Sequence, residues 1–341
     1  QELMYGDGAA AFVVGQNADA AEFVGAKQIS VDFIDHYKGD TEEFDYHWEE
    51  RWIRDEGYMK LVPRALEGLF AETGVAPGDV NHFIMPCLIR RVGNMVAKAA
   101  GIPGDAIRDT MQAAMGEAGT AHALVMLAAT LEEAKPGEII VIAGFGQGCD
   151  ALMFRAGNDI ESKRPGMGVS GFMKRRVAEG NYNKYLAFNG LTTLDHGLRG
   201  EVDRQTALTA LYRNKEMLTA LIGGKCRKCG TVQFPKSNVC VSPNCGEFHS
   251  QDDHPFADIP ATVQSWTADN LTYAVEPPQH FGMVVFQEGG RLMSDITDVD
   301  VGGVEVGMSM RMMFRIKEFD GQRGFTRYFW KAAPDFTKDA G

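Results

Sequence analysis

Apolar positions recur at helical spacing from Tyr58 to Thr73, where Leu61, Val62, Ala65, Leu66, Leu69 and Phe70 mark one face and Gly74 stands where a helix would end. After the turn Pro77-Gly78-Asp79, the run His82 to Met85 reads as a short buried strand, and Asn94 to Ala100 as a helix closed by Gly101 and Pro103. Residues 116 to 135 are dense in small side chains (Ala118, Gly119, Ala121, Ala123, Ala128, Ala129) and predict one long, closely packed helix. Pro136-Gly137 then turns the chain into Glu138-Ile139-Ile140-Val141-Ile142-Ala143, the continuous apolar run of a strand buried on both faces, with another strand from Ala151 to Phe154. Residues 5 to 15, a Gly-Asp-Gly turn followed by Ala9 to Val14, read as a further strand. A core strand placed before any neighbour implies that upstream sequence, or another chain, completes it. Helix and strand alternate over this half, which predicts a layered α/β domain.

The pattern then changes. Residues 156 to 205 form a connector with Pro165, several glycines and the basic cluster Lys174-Arg175-Arg176, and Ala207 to Leu221 reads as an amphipathic helix. Runs at 261–267, 282–286, 291–296 and 309–316, separated by turns such as Glu288-Gly289-Gly290, predict the strands of a small Greek-key barrel. Residues 28 to 57 show neither period but carry Phe33, Tyr37, Phe44, Tyr46, Trp48 and Trp52 among acidic residues. That stretch is either a surface excursion packing its own aromatics or the wall of a substrate pocket or dimer interface. The expected division is 1–155, the connector 156–205, a helix with a cysteine knot at 206–250, and the barrel with its tail at 251–341.

The knot reads C-x2-C-x10-C-x4-C: Cys226, Cys229, Cys240 and Cys245 can bring four thiolates to the corners of a tetrahedron. Gly230 and Gly246 follow the second cysteine of each pair, where tight turns favour a residue without Cβ. Only Cys87 and Cys149 remain among the six cysteines, which is not the usage of a disulfide scaffold, so reduced zinc thiolates are expected. Four ligands close the shell, and the zinc is expected to be structural. Lys plus Arg (34) minus Asp plus Glu (46) gives a net charge of −12, which opposes nonspecific nucleic-acid binding despite the basic Lys225, Arg227, Lys228 and Lys236 around the knot. No apolar run reaches the length of about eighteen residues that crosses a bilayer, and no basic-then-apolar leader is present, so a cytoplasmic protein without membrane partners is expected.

Four motifs in order carry a resemblance: Gly6-Asp7-Gly8-Ala9-Ala10-Ala11, the Asp79 to Pro86 strand, Gly116 opening a small-residue helix, and Gly144-x-Gly146-x-Gly148-x-Asp150-Ala151. Together they resemble the later part of the thiolase superfamily, most like its hydroxymethylglutaryl-CoA synthase branch, over residues 1 to about 155. Tyr182 to Phe188 resembles the tail of the same synthases. From about 205 to 335, the helix, the ribbon with Phe234-Pro235 between its cysteine pairs, and the barrel with Val306-Gly307-Met308 resemble a second family. It is the zinc-ribbon and OB-fold family that accompanies thiolases as acyl-CoA-binding partner subunits.

The resemblance implies an acyltransferase that makes or breaks carbon–carbon bonds on acyl groups carried by CoA. The chemistry needs a cysteine thiolate to hold the acyl group and a His or Asn pair for proton transfer and an oxyanion. The nucleophile belongs to the half of the fold upstream of Gly6, so it is expected from an upstream segment or another chain, and Cys87 and Cys149 read as core or loop residues. The family's His-x-Pro-like position falls on Met85, and its Gly-Asn-Thr motif reads Gly116-Glu117-Ala118. Glu117 is then either a general base or a helix N-terminal carboxylate, and His122 either a catalyst or a satisfied core histidine. The resemblance implies that Gly144, Gly146 and Gly148 line the acyl-CoA site, a tight strand connection being the alternative; a following strand in place of a helix excludes a dinucleotide fingerprint. Lys174 to Arg176 is either a solvated face or a contact for CoA phosphates. The alternatives to an enzyme are a non-catalytic acyl-CoA-binding scaffold and a retro-aldolase partner, each docking on a thiolase. A homo-oligomer, or a complex with a thiolase-like chain carrying the missing half, is expected in every case.

Overall fold

The computed structural model describes residues 2–16, 20–42, 44–164, 166–193, 207–272, 276–320 and 323–335. Its contacts separate two compact units, Gln1–Arg176 and Val177–Gly341.

In the first unit the strands are β1 (Ala21–Ser30), β2 (His36–Tyr37), β3 (Tyr46–His47), β4 (Val80–Ile84), β5 (Ile139–Gly146) and β6 (Gly148–Ala156). Four of them form a sheet in the order β1-β6-β5-β4, with β4 parallel to β5 and the other pairs antiparallel. The expected apolar run is the sheet's central strand, and alternate residues on it serve opposite layers. Val141 and Ala143 join Leu66 and Leu69 of the Met59–Thr73 helix in one buried cluster. Ile140 and Ile142 join Met126 and Leu127 of the His122–Glu133 helix in another. A sheet covered by helices on both faces is the layered α/β arrangement that the alternation predicts.

Three expectations change. The helix expected over 116–135 starts only at His122, because Gly116 (φ 72°) and Gly119 (φ 60°) hold left-handed conformations that α-helix cannot include. The strand expected over 5–15 reduces to one bridge, Tyr5 to Glu117, and Val13 and Val14 are fully exposed. One edge of the sheet is β1, which pairs with β6 from Ala21↔Ala156 to Ser30↔Gly148. Third, the stretch after residue 28 is not wholly irregular: it completes β1, folds the small β2–β3 hairpin, and then runs through a widened helical turn, Ile53–Tyr58, into the Met59–Thr73 helix. Its aromatics are anchored, with the Phe33 ring 6.0 Å from both Trp48 and Phe145.

The glycine-rich stretch at 144–150 is the tip of the β5–β6 hairpin, with Gly146 opposite Gly148 around Gln147 alone. Gly148 has φ 121°, and a Cβ there would sit 1.8 Å from the carbonyl oxygen of Ile29. Gly148→Ala is therefore expected to cost about 3 kcal/mol or more in urea unfolding, from strain plus the clash with β1. A Cβ on Gly146 meets nothing within 4 Å. Gly146→Ala is expected to cost less than about 1 kcal/mol, and equal losses for the two variants would remove the packing account of Gly148.

The second unit opens on two short helices, Tyr182–Phe188 and Leu208–Arg213, and a third, Lys215–Thr219. The last two replace the single helix expected over Ala207–Leu221, interrupted at Asn214 (φ −110°, ψ 18°). In the connector, a helix forms over Gly168–Lys174, and Arg176 donates to the carbonyl of Ala114 at 3.2 Å. Pro165 and residues 194–205 lie outside the described residues. The ribbon is a three-stranded sheet, β8-β7-β9, of β7 (Ile222–Cys226), β8 (Val232–Gln233) and β9 (Gln251–Pro255). The barrel closes in the order β10-β11-β12-β14-β13, from β10 (Ala261–Asp269), β11 (Gln279–Phe286), β12 (Arg291–Ile296), β13 (Ser309–Asp320) and β14 (Phe325–Pro334). Strict alternation along β11 turns His280, Gly282, Val284 and Phe286 inward. Strand β14 has no counterpart in the sequence reading. Among the described residues, no helix is long and apolar enough to cross a membrane.

Candidate functional site

A cavity of about 820 Å³ opens in the first unit, within the range of small-molecule sites. Four pieces of chain wall it: the β5–β6 tip with Gly144, Gly146 and Gly148; the segment after β4 with Pro86 and Cys87; the turn carrying Glu117; and the aromatic stretch with Asp35, His36 and His47. The three glycines of the expected acyl-CoA site thus face one cavity, and the absence of Cβ at Gly146 leaves that wall open.

Glu117 lies on the same cavity with its side chain 12% exposed. It stands two residues before the 3-10 turn Gly119–Ala121 that leads into the His122–Glu133 helix. Its backbone pairs with the Gly-Asp-Gly segment, its N–H donating to Met4 O at 2.8 Å and its carbonyl accepting from Gly6 N–H at 3.0 Å. The carboxylate is fixed from behind: Oε1 accepts from Gly119 N–H at 3.1 Å and Oε2 from the Gln112 amide at 3.3 Å. His122 Nδ1 stands 3.2 Å from Oε1. The His122 side chain is wholly buried and is not part of the cavity wall. Its Nε2 donates to the Thr110 carbonyl at 2.7 Å, while its Nδ1 accepts from Ala118 N–H at 3.0 Å in the neutral ring and donates to Glu117 Oε1 when the ring is protonated. Burial works against a charge on this ring, but the Glu117 carboxylate and the Thr110 carbonyl outweigh it and raise its pKa above the usual imidazole value. His122 thus lies behind Glu117, away from the cavity.

Cys87 and Cys149 border the cavity, but burial pushes their thiols up to about 11 and about 12. Thiols so raised are protonated at neutral pH and are poor nucleophiles. Met85 is buried in the core beside them. Asp35, His36 and His47 on the same cavity were not singled out in the sequence, their signal being the reading of 28–57 as a pocket wall, and Tyr58 entered only as the start of the expected helix. The Tyr58 hydroxyl is pushed well up by burial, with Cys87 and Asp35 adding to it.

In the second unit, the four cysteines converge until their sulfurs all lie within 4.8 Å of one another. Cys229 and Cys240 are 3.5 Å apart, and Cys226 and Cys245 3.9 Å. A zinc–thiolate tetrahedron with bonds of about 2.3 Å needs sulfurs about 3.8 Å apart, so the residues fit that ion. Gly230 (φ 74°) and Gly246 (φ 56°) take the left-handed turns expected of them. The Ser250 hydroxyl, 3.1 Å from Cys226 Sγ, and the backbone N–H of Cys229 push the Cys226 thiol down to about 6.

Residues 70–155 match the family described as 3-oxoacyl-[acyl-carrier-protein (ACP)] synthase III C terminal. Residues 220–249 match the ChsH2 rubredoxin-like zinc ribbon domain, and 255–315 the ChsH2 C-terminal OB-fold domain. The first unit is therefore thiolase-like. The chain as a whole joins such a unit to a zinc ribbon and an OB-fold barrel. It is 28% identical over 199 residues to a hydroxymethylglutaryl-CoA synthase of Caldivirga maquilingensis, covering 58% of this chain and 57% of that protein. The synthase of Aeropyrum pernix is 29% identical over 194 residues, 55% of this chain and 53% of that protein. A DUF35 domain-containing scaffold protein of Methanothermobacter thermautotrophicus is 29% identical over 117 residues, 33% of this chain but 86% of the relative. The chain thus spans little more than half the length of the synthases it matches.

Proposed function

We propose that this chain supplies the later half of an acyl-CoA site that forms or breaks carbon–carbon bonds, with its zinc ribbon and barrel as a built-in partner domain. The observation that carries the reading is the 820 Å³ cavity on which the glycine-lined β5–β6 tip and the fixed Glu117 carboxylate meet. The likeness to hydroxymethylglutaryl-CoA synthases supports CoA as the acyl carrier. In this reading Glu117 is the general base, His122 holds it in place, and the acyl-holding cysteine comes from an upstream segment or another chain. Zinc, held by Cys226, Cys229, Cys240 and Cys245, is structural and takes no part in the chemistry.

The test is intact-protein mass spectrometry of the complete or complemented enzyme with acyl-CoA. The expected result is release of CoA and one acyl adduct on a cysteine outside this chain, with none on Cys87 or Cys149, whose thiols burial keeps protonated. No adduct and no CoA release would sink the reading.

One observation favours a second reading. The match to a scaffold protein covers most of that relative, and it supports a non-catalytic acyl-CoA-binding subunit docked on a thiolase. Such a chain would co-elute with a partner thiolase in size-exclusion chromatography and leave acyl transfer to it.

A further inference from the structure

The cavity has a carboxylate base but lacks an imidazole where the thiolase arrangement expects one, since Met85 sits there, buried in the core. Two imidazoles reach the same cavity from elsewhere, on the β2–β3 hairpin, where His36 and His47 are cross-strand partners. Their rings lie 6.2 Å apart, inclined by 20°. Each has one nitrogen committed. His47 Nδ1 donates to the Trp48 carbonyl at 2.9 Å. His36 Nδ1 faces Asp35 Oδ1 at 3.1 Å, and Asp35 is turned toward it by the His36 backbone N–H, which donates to the same oxygen at 3.0 Å. The hairpin ladder extends one residue beyond the two histidines, since Trp48 N–H donates to Asp35 O at 3.1 Å. A carboxylate on Nδ1 selects the ring orientation and leaves Nε2 as the atom that exchanges a proton. The two rings differ in setting: the His36 side chain is 39% exposed and Asp35 15%, while His47 is exposed with its Nδ1 on a carbonyl.

Resting on the acyl-CoA reading above, we propose that His36, oriented by Asp35, is the proton donor of this cavity and works opposite Glu117. In the bond-forming direction Glu117 removes the α-proton of one acyl thioester: a C–H bond breaks, an O–H bond forms, and the electron pair stays on carbon. That carbon attacks the second acyl carbonyl, a C–C bond forms, and the carbonyl π pair moves to oxygen. The His36 imidazolium gives its Nε2 proton to this alkoxide or, if the alkoxide collapses, to the thiolate it expels. Glu117 passes its proton to solvent and His36 takes one back, so the cycle is proton-neutral. Cleavage runs the same steps in reverse, with neutral His36 as the base.

The experiment uses the complete or complemented enzyme with acetyl-CoA in deuterated buffer, following both deuterium entry at the α-carbon and steady-state CoA release, counted after the first equivalent that forms the acyl-enzyme. His36→Ala is expected to keep deuterium entry within about threefold, because Glu117 is untouched, and to lower CoA release at least 100-fold. Added imidazole should restore at least a tenth of the loss, which a purely structural defect would not allow. His36→Gln keeps a hydrogen-bonding side chain on the hairpin but no transferable proton, and it should show the same loss without rescue. CoA release by His36→Gln within threefold of the parent overturns the inference while leaving the acyl-CoA reading intact. A parent enzyme showing neither deuterium entry nor CoA release overturns that reading and the inference with it.

Discussion

Cys226→Ser is expected to remove the metal from the ribbon and unfold residues 222–251, the largest effect on stability of any single substitution in this chain. Cys226 is buried at the end of β7 and donates its backbone N–H to Thr231 O at 2.9 Å inside the first knuckle. Its sulfur is one of four within 4.8 Å of one another. Four thiolates at that spacing repel unless a cation lies among them, so losing one ligand removes both a bond and the reason for the others to stay together. Structural zinc sites of this kind contribute about 10–16 kcal/mol in isolated zinc-finger peptides. Here the barrel has its own core of Val263, Val284, Phe286, Met310, Met312 and Ala332, so the loss should be local. Atomic absorption should fall from about one zinc per chain to near zero. Amide exchange should become fast over 222–251 while β11 and β13 keep their protection. Chelation of the parent protein should do the same. A Cys226→Ser protein that retains a full equivalent of zinc, or one whose ribbon amides stay protected without metal, would show that the cysteines are not the clamp.

The ribbon could be read from sequence because its determinants are local: two pairs of cysteines and two glycines fix the knuckles whatever the rest of the chain does. Strand β5 could be read for a related reason, since an unbroken apolar run has few other places to go than the middle of a sheet. Strand β1 could not. Ala21–Ser30 shows no clean alternation of burial, and what makes it a strand is pairing with β6, far along the chain. The stretch Ala9 to Val14 looked more like a strand by composition, yet it is β1 that forms one edge of the sheet. On the barrel, β14 hides because Phe325 and Tyr328 point to solvent and the buried positions come only at Ala332 to Pro334. Glu117 and the glycines at 144–148 stood out as motifs, but their meeting on one cavity, and the arrival there of Asp35 and His36, depends on where the β2–β3 hairpin packs. Such tertiary placement has no signature in the local sequence.

Glu117→Gln carries the largest expected effect on activity. The carboxylate reaches the cavity with both oxygens already oriented, by Gly119 N–H, by the Gln112 amide and by His122. A glutamine of the same shape can still accept from Gly119 N–H, so the fold should tolerate it, with an unfolding free energy within about 1 kcal/mol of the parent. It cannot take a proton. If Glu117 is the base that removes the α-proton of an acyl thioester, turnover should fall by about 10²- to 10⁴-fold, the contribution typical of a positioned acid–base group. The change should appear in kcat, with KM for acyl-CoA little altered, because the cavity walls at Gly144, Gly146 and Pro86 are unchanged. Formation of the acyl-enzyme, which needs no α-proton removed, should survive. Deuterium entry at the α-carbon should be lost together with turnover, the opposite of the split expected for His36→Ala. His122→Asn should give a milder loss, since it releases the carboxylate's orientation without removing its oxygens. If Glu117→Gln turned over within threefold of the parent while remaining folded, Glu117 would be a structural carboxylate tying residues 112–122 together, and the base of the cavity would have to be sought in the Asp35–His36 pair.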